Sequence, residues 1–209
     1  MNLDVNHFYC HRVPDQWNRA LEQQSQRAAT DEPAGLLLEA MQQVDATLDV
    51  IVEAESTENR YSLNIHRGRM RCDTEAQRPP FLVLVHNLET FETLERESGD
   101  SILGFLGTLA GQSEEMKLTS NRLRQLSELN GRAHLELTDG PPMSLEARLG
   151  LGIHDAEAPQ CTLRLPASVY TALKQGTLAP QDAFMSGQIM VEGDMNLAIQ
   201  LALAAVSTD

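Results

Sequence analysis

Ala183-Phe184-Met185-Ser186-Gly187-Gln188-Ile189-Met190-Val191-Glu192-Gly193-Asp194-Met195-Asn196-Leu197-Ala198-Ile199-Gln200-Leu201 is the stretch that decides how this chain reads. An aromatic-Met turn leads into a short alternating strand bounded by glycines. A Gly193-Asp194 corner follows, and then a helix. Asp194 stands just before that helix, where a carboxylate accepts from free backbone N–H groups, so an N-cap is its expected role. The segment 197–206 is apolar on nearly every side, which predicts a fully buried helix. Met185, Met190 and Met195 offer flexible, polarizable side chains. Nothing here reads as a nucleophile, a metal cage or a phosphate cradle, so the stretch suits holding a hydrophobic molecule rather than transforming one.

The rest of the chain supports a globular body. Its 209 residues are enough for one large domain or two small ones, and 42% hydrophobic residues supply a core. The formal net charge of −14 argues against nucleic acid, because affinity for phosphate needs clustered Lys and Arg. It also argues against stable docking on an anionic membrane. No stretch reaches the 18 or so apolar residues of a membrane span. Cys10, Cys72 and Cys161 are odd in number and have no metal-like spacing, which predicts reduced thiols, no disulfide and a cytoplasmic setting. The opening residues carry no basic run followed by an apolar one, so no secretory signal is expected.

Periodicity divides the chain into 1–32, an N-terminal arm and helix; 33–130; and 131–209. Residues 1–14 show no period and are expected to form a loose arm, followed by a weakly amphipathic helix around Trp17 and Leu21. Asp31 and Pro33 open a helix carrying Leu37, Met41, Val44 and Leu48. Strands are predicted at 50–54, 61–66, 70–72 and 81–85. Asn87 caps a helix with Leu88, Phe91 and Leu94, which Gly99 ends. A long helix is expected from Glu114 to Leu129. Then come strands at 132–138, 143–149 and 161–165, the second entered through the hairpin signal Asp139-Gly140-Pro141-Pro142. A helix over 166–175 carries Val169, Tyr170 and Leu173.

The two larger segments share an order of elements. Tyr61–Gly68 lies over Met143–Gly150, and Pro79 lies over Pro159. Phe81, Val83 and Val85 lie over Cys161, Leu163 and Leu165. Phe91 and Leu94 lie over Tyr170 and Leu173, and Gly107 lies over Gly187. A tandem duplication is the expectation.

The strand 161–165, the helix after it and the block from Pro180 to Leu201, with its Ala183-Phe184 and Gly193-Asp194 landmarks, resemble the sterol carrier protein 2, or nonspecific lipid-transfer, family. The resemblance covers roughly residues 131–206. Residues 33–129 look like a diverged copy that departs at Gly107–Glu115. The resemblance implies an α+β fold: a mixed sheet covered by helices over an apolar tunnel, here in tandem. It implies binding, and transfer, of a fatty acid, sterol or isoprenoid-like lipid without catalysis or cofactor. Leu145, Leu163, Leu165, Phe184, Met185, Ile189, Met190, Leu197 and Leu201 are the expected lining, and the second copy is the expected carrier. Another reading stays open: an accessory module with a closed pocket that contacts a homodimer mate or a partner enzyme.

Other constellations are weaker. His7, Cys10 and His11 lie close in sequence but lack a fourth metal ligand. His66, His86, His134 and His154 are scattered, and Ser186 lies in no nucleophile elbow. Gly104, Gly107 and Gly111 do not lead from a strand into a phosphate-binding helix. The acidic runs at 92–97 and 114–115 read as solvated helix faces.

Overall fold

The structure, a computed structural model, describes residues 4–54, 57–98, 117–150 and 158–206. The first half runs α1 (Val5–His7), a π-type turn (Phe8–Arg12), α2 (Val13–Ala28), α3 (Glu32–Gln42), β1 (Ala46–Ala54), β2 (Thr57–His66), β3 (Arg69–Asp73), β4 (Leu82–Asn87) and α4 (Leu88–Ser98). The second runs α5 (Ser120–Glu128), β5 (Gly131–Leu137), β6 (Ser144–Leu149), β7 (Cys161–Leu165), α6 (Ala167–Lys174), α7 (Pro180–Met185), β8 (Met190–Gly193) and α8 (Met195–Val206).

The eight strands among the described residues join one mixed sheet in the order β3-β2-β1-β4-β6-β5-β7-β8. The two halves build it in the same way. An antiparallel hairpin, β1–β2 or β5–β6, gains a parallel strand on the free edge of its first member, β4 or β7. A helix follows that strand, α4 or α6. On the far side of β7 lies antiparallel β8, and the matching place beside β4 is taken by β6, borrowed from the second half. The α+β class expected from the sequence is what the chain adopts.

Strand alternation explains where the core lies, since successive side chains point to opposite faces. Leu48, Val50, Leu63, Ile65, Leu82 and Leu84 face the same side as Leu135, Leu145, Leu149 and Leu165, and helices cover that side with Phe91, Leu126, Tyr170 and Leu173. The other face is more polar. There Arg132 and Arg148 flank Glu146, and Arg164 bridges Glu136 and Glu192. Burial alone would raise the Glu146 pKa, but the hydrogen bonds and charges of the two arginines outweigh it and hold the carboxyl below its usual range.

The pleat corrects the residue matching between halves. Val83 and Val85 join Ile51 on the polar face, whereas Leu163 and Leu165 lie on the core side. Leu82 and Leu84 are therefore the counterparts of Leu163 and Leu165, because a one-residue slip turns a strand over. The Gly68–Gly150 match holds. Both have positive φ (75° and 99°), and a Cβ at either would meet a backbone carbonyl where the preceding helix ends, Met41 at 2.6 Å and Leu129 at 2.7 Å.

Three further expectations change. The loose arm is helical from Val5 onward, with Phe8, Tyr9 and Val13 buried, because its aromatic residues reach the sheet. The long helix begins at Ser120, where Thr119 accepts from the Arg122 N–H at 3.2 Å; its expected start at Glu114 lies outside the described residues. So do Gly99, the glycines 104, 107 and 111, and His154. Cys10 and Cys72 form a disulfide, against the expectation of none. Fold-back of the N-terminal helix onto β3 brings together cysteines that sequence spacing keeps apart. Cys161 is free and buried, and burial, then the nearby Asp194, pushes its thiol pKa up. Asp31 sits at its N-cap position but makes no side-chain capping bond. Asn87 does cap, accepting from the Thr90 N–H at 2.8 Å.

Candidate hydrophobic ligand site

Over the second half the apolar cover is incomplete. Leu163 occupies the middle of β7 on the core side, between Cys161 and Leu165, each 1% exposed. Leu163 itself is only half-buried, as are Leu137 and Ala147 on the same face and Val191 across the β7–β8 ladder. Leu201 packs with Leu163 beneath α8, and Ile189 and Leu178, also half-buried, pack against the main core. Leu163 and Leu201 touch both the main core and a smaller cluster of Ala133, Cys161, Leu197 and Ala198 beneath α8. An apolar seam therefore runs between α8 and the sheet, centred on Leu163.

The chain positions this seam through the Gly193-Asp194 corner. Gly193 has φ 88°, and a Cβ there would collide with the Gln160 carbonyl. The Asp194 carboxylate accepts from the N–H groups of Asn196 (2.9 Å) and Leu197 (3.1 Å), starting α8 as expected. Its backbone N–H donates to the Gln160 carbonyl at 2.8 Å, tying the corner to the entry of β7.

Of the predicted lining, Leu145, Leu163, Leu165, Ile189, Leu197 and Leu201 belong to these adjoining clusters. Phe184 (42% exposed), Met185 (84%) and Met190 (50%) do not. The single side chain that α7 buries is Ala183, so the next two residues turn outward. Met190 pairs with Arg164 on the opposite pleat face from Leu163. Nor is the α8 helix fully buried. Leu197 and Ala198 face in, whereas Ile199 and Leu203 are 49% and 63% exposed. Composition hid this, since Asn196 and Gln200 are the helix's two polar side chains and leave most of its outward side apolar. Leu137, Leu178 and Val191 were missed; alternation from Leu135 to Leu137 and from Ile189 to Val191 was the signal for the first and last of them.

The corresponding place in the first half is closed. Leu82, the counterpart of Leu163, is 2% exposed; Val50 and Ile65, counterparts of Leu137 and Ala147, are 0% and 1%. The N-terminal segment seals this side. Phe8 meets Phe91 edge-on at 5.2 Å, and Tyr9 lies 5.2 Å from Tyr61. The Nδ1–H of His86 donates to the Asn87 carbonyl at 2.9 Å. That leaves Nε2 to accept from the Tyr9 hydroxyl at 2.6 Å. Burial holds the His86 pKa below its ordinary value, although the Asn87 bond opposes the shift. Burial, then Tyr61, pushes the Tyr9 pKa far up. Arg12 pairs with Glu95, and the Cys10–Cys72 disulfide fastens the segment to β3. Among the described residues no group of three or more His, Cys, Asp or Glu is placed to hold a metal ion. No described helix is long and apolar enough to cross a membrane.

Residues 114–205 match the SCP-2 sterol transfer family, so the C-terminal part of the chain carries a domain of that family. Among solved structures, the chain is similar to Sterol Carrier Protein 2 Like 2 of Aedes aegypti, at 22% identity over 36% of this chain and 73% of that one, with a TM-score of 0.29. It is similar to the UbiJ-SCP2 ubiquinone synthesis protein at 22% identity, over 55% and 96%, with a TM-score of 0.34. It also resembles sterol carrier protein domain 2 of Helicoverpa armigera at 18% identity, over 57% and 85%, with a TM-score of 0.28. No curated protein matches the chain.

Proposed function

We propose that this protein binds a hydrophobic small molecule along the Leu163 seam of its second half, and carries it without reacting on it. The observation that supports the reading is the incomplete cover of Leu163 in the middle of a core strand whose flanking residues are sealed. An acyl or isoprenoid chain laid there gains about 0.8 kcal/mol per buried methylene. The residues around it are Leu137, Ile189, Val191 and Leu201, which offer apolar contact and no acid, base or nucleophile. The ligand is therefore a fatty acid, sterol or isoprenoid-like lipid held mainly by its hydrocarbon. The first half serves as a diverged copy that has given up its own site to the N-terminal helix and lends rigidity to the shared sheet.

The test is a titration of delipidated protein with a fluorescent fatty acid, a fluorescent sterol and an isoprenoid quinone, beside native mass spectrometry of the freshly purified protein. Leu163→Trp fills the seam and is expected to weaken probe binding about tenfold or more, at an overpacking cost of about 1–3 kcal/mol. Wild-type protein that takes up none of the three probes overturns the function. Unchanged binding by a folded Leu163→Trp variant overturns the placement.

A further inference from the structure

The N-terminal helix is held to the first half in two different ways. From Val13 onward, hydrogen bonds fix α2 to the outermost strand, β3, and to the turn before it. The Asn18 side-chain amide donates to the Met70 carbonyl and accepts from the Met70 N–H, both at 3.0 Å. The Trp17 indole N–H donates to the Gly68 carbonyl at 2.8 Å, and Glu22 pairs with Arg69 at 3.4 Å. The segment before α2, Val5–Arg12, carries the rings of the seal. It is fastened by their packing, the Tyr9–His86 bond, the Arg12–Glu95 pair and, covalently, the Cys10–Cys72 disulfide. The join between the two parts is a break in the helix. Pro14 lacks the N–H that a continuous α-helix would give to the Cys10 carbonyl. The Val13 N–H instead reaches back five residues to the Phe8 carbonyl, an irregularity common at functional sites.

The three cysteines suit a bond that opens and closes. Cys10 and Cys72 are only half-buried, so their disulfide lies at the surface rather than in the core. Cys161 is 1% exposed, and burial, then Asp194, raises its thiol pKa, which keeps it out of thiol exchange. One disulfide in a chain of 209 residues with a large apolar core is not a cystine scaffold. We propose that Cys10–Cys72 is a redox latch on the first half. Closed, it holds Phe8 and Tyr9 against Phe91 and Tyr61. Opened by a dithiol reductant, it lets Val5–Arg12 swing out about Pro14 and bares that apolar face while α2 stays docked. A reductant thiolate attacks one sulfur of the pair, and the other leaves as a thiolate and takes up a proton. The second reductant thiol then displaces the mixed disulfide, releasing the remaining protein thiol. The protein gains two electrons and two protons, and the reductant ends as a disulfide. The latch does not rest on the ligand reading, since none of its residues lies at the Leu163 seam.

Hydrogen–deuterium exchange mass spectrometry of the full chain, with and without dithiothreitol, tests the latch. Reduction is expected to speed exchange of the Phe8–Arg12 amides about a hundredfold, the usual scale for a lost cross-link. The amides of β1 and β7 are expected to keep their protection. The Cys10→Ser/Cys72→Ser variant is expected to exchange like the reduced protein and to ignore dithiothreitol, whereas Cys161→Ala keeps the wild-type response. Alkylation with iodoacetamide in denaturant is expected to find one thiol before reduction and three after it. Three thiols in protein purified under air, or a bond that dithiothreitol leaves closed in the folded chain, overturns the proposal. Reduction that leaves Phe8–Arg12 protected also overturns it. Loss of protection that spreads to β1 and β7 overturns it as well, because the bond is then a staple of the whole fold. Fatty-acid uptake at the seam is a separate measurement, so failure here leaves the ligand reading standing, and the reverse also holds.

Discussion

Leu82 and Leu163 hold matching places in the two halves of one sheet, each in a strand parallel to the first member of its hairpin. Leu82 is 2% exposed in a core that the N-terminal helix joins through Phe8 and Tyr9, and Leu163, in contact with the cluster beneath α8, keeps part of its surface open. The strands beneath are nearly the same. What differs is the cover, and the cover comes from segments that the two halves do not share: the N-terminal helix in one, α7, β8 and α8 in the other. A single sheet thus supports one half whose apolar face is sealed and one whose apolar cover is incomplete.

The largest expected effect breaks the sealed side. Phe8→Ala removes a ring packed on Phe91 and is expected to cost about 3–5 kcal/mol in denaturant unfolding. A loss below about 1 kcal/mol would mean that the N-terminal helix does not close the first half. If the variant folds, the added cavity at this place also makes the two halves more alike, and fatty-acid uptake beyond the wild-type stoichiometry would show it.

An intermediate effect sharpens the equivalence of the halves. Gly68→Ala and Gly150→Ala each force a Cβ against a helix-end carbonyl at positive φ, and each is expected to lose about 1–3 kcal/mol. The comparison requires the two losses to be similar. A clear loss at one glycine with none at the other would deny that these corners do the same work.

The smallest effect separates the halves by pH. The His86 pKa is lowered in the folded state, so its neutral form stabilises the fold fully above the ordinary value of 6.5. As pH falls below that value the unfolded chain takes up the proton first, and stability declines toward the folded-state pKa. Urea midpoints measured across this range are expected to fall with acidity in the wild type and to fall less in His86→Asn. Matching slopes in both would remove the Tyr9–His86 contact from the account of the seal.

Much of the architecture was legible in the pattern of the chain. Strand alternation at Leu63 and Ile65, the Asp139–Pro142 turn, Asn87 before an amphipathic run and the Gly193-Asp194 corner each act over a few residues, so local spacing encodes them. The site was legible only in part. Leu145, Leu163 and Leu165 follow from period two, but Phe184, Met185 and Met190 are as apolar as core residues and nevertheless point outward. Composition cannot separate an inward methionine from an outward one when no polar neighbour marks the other face.

By itself, then, the sequence determined the strands, the hairpins, the capped helices and the family of the C-terminal part, because these depend on side-chain type at short range. Tertiary structure alone decided that two halves would share one sheet, that β6 would stand beside β4, and that Cys10 would meet Cys72. It also decided that an aperiodic N-terminus would fold as a helix into the first half. Each of those outcomes depends on contacts between distant segments, where the gain from covering apolar strand faces outweighs the weak local preference of the segment that covers them.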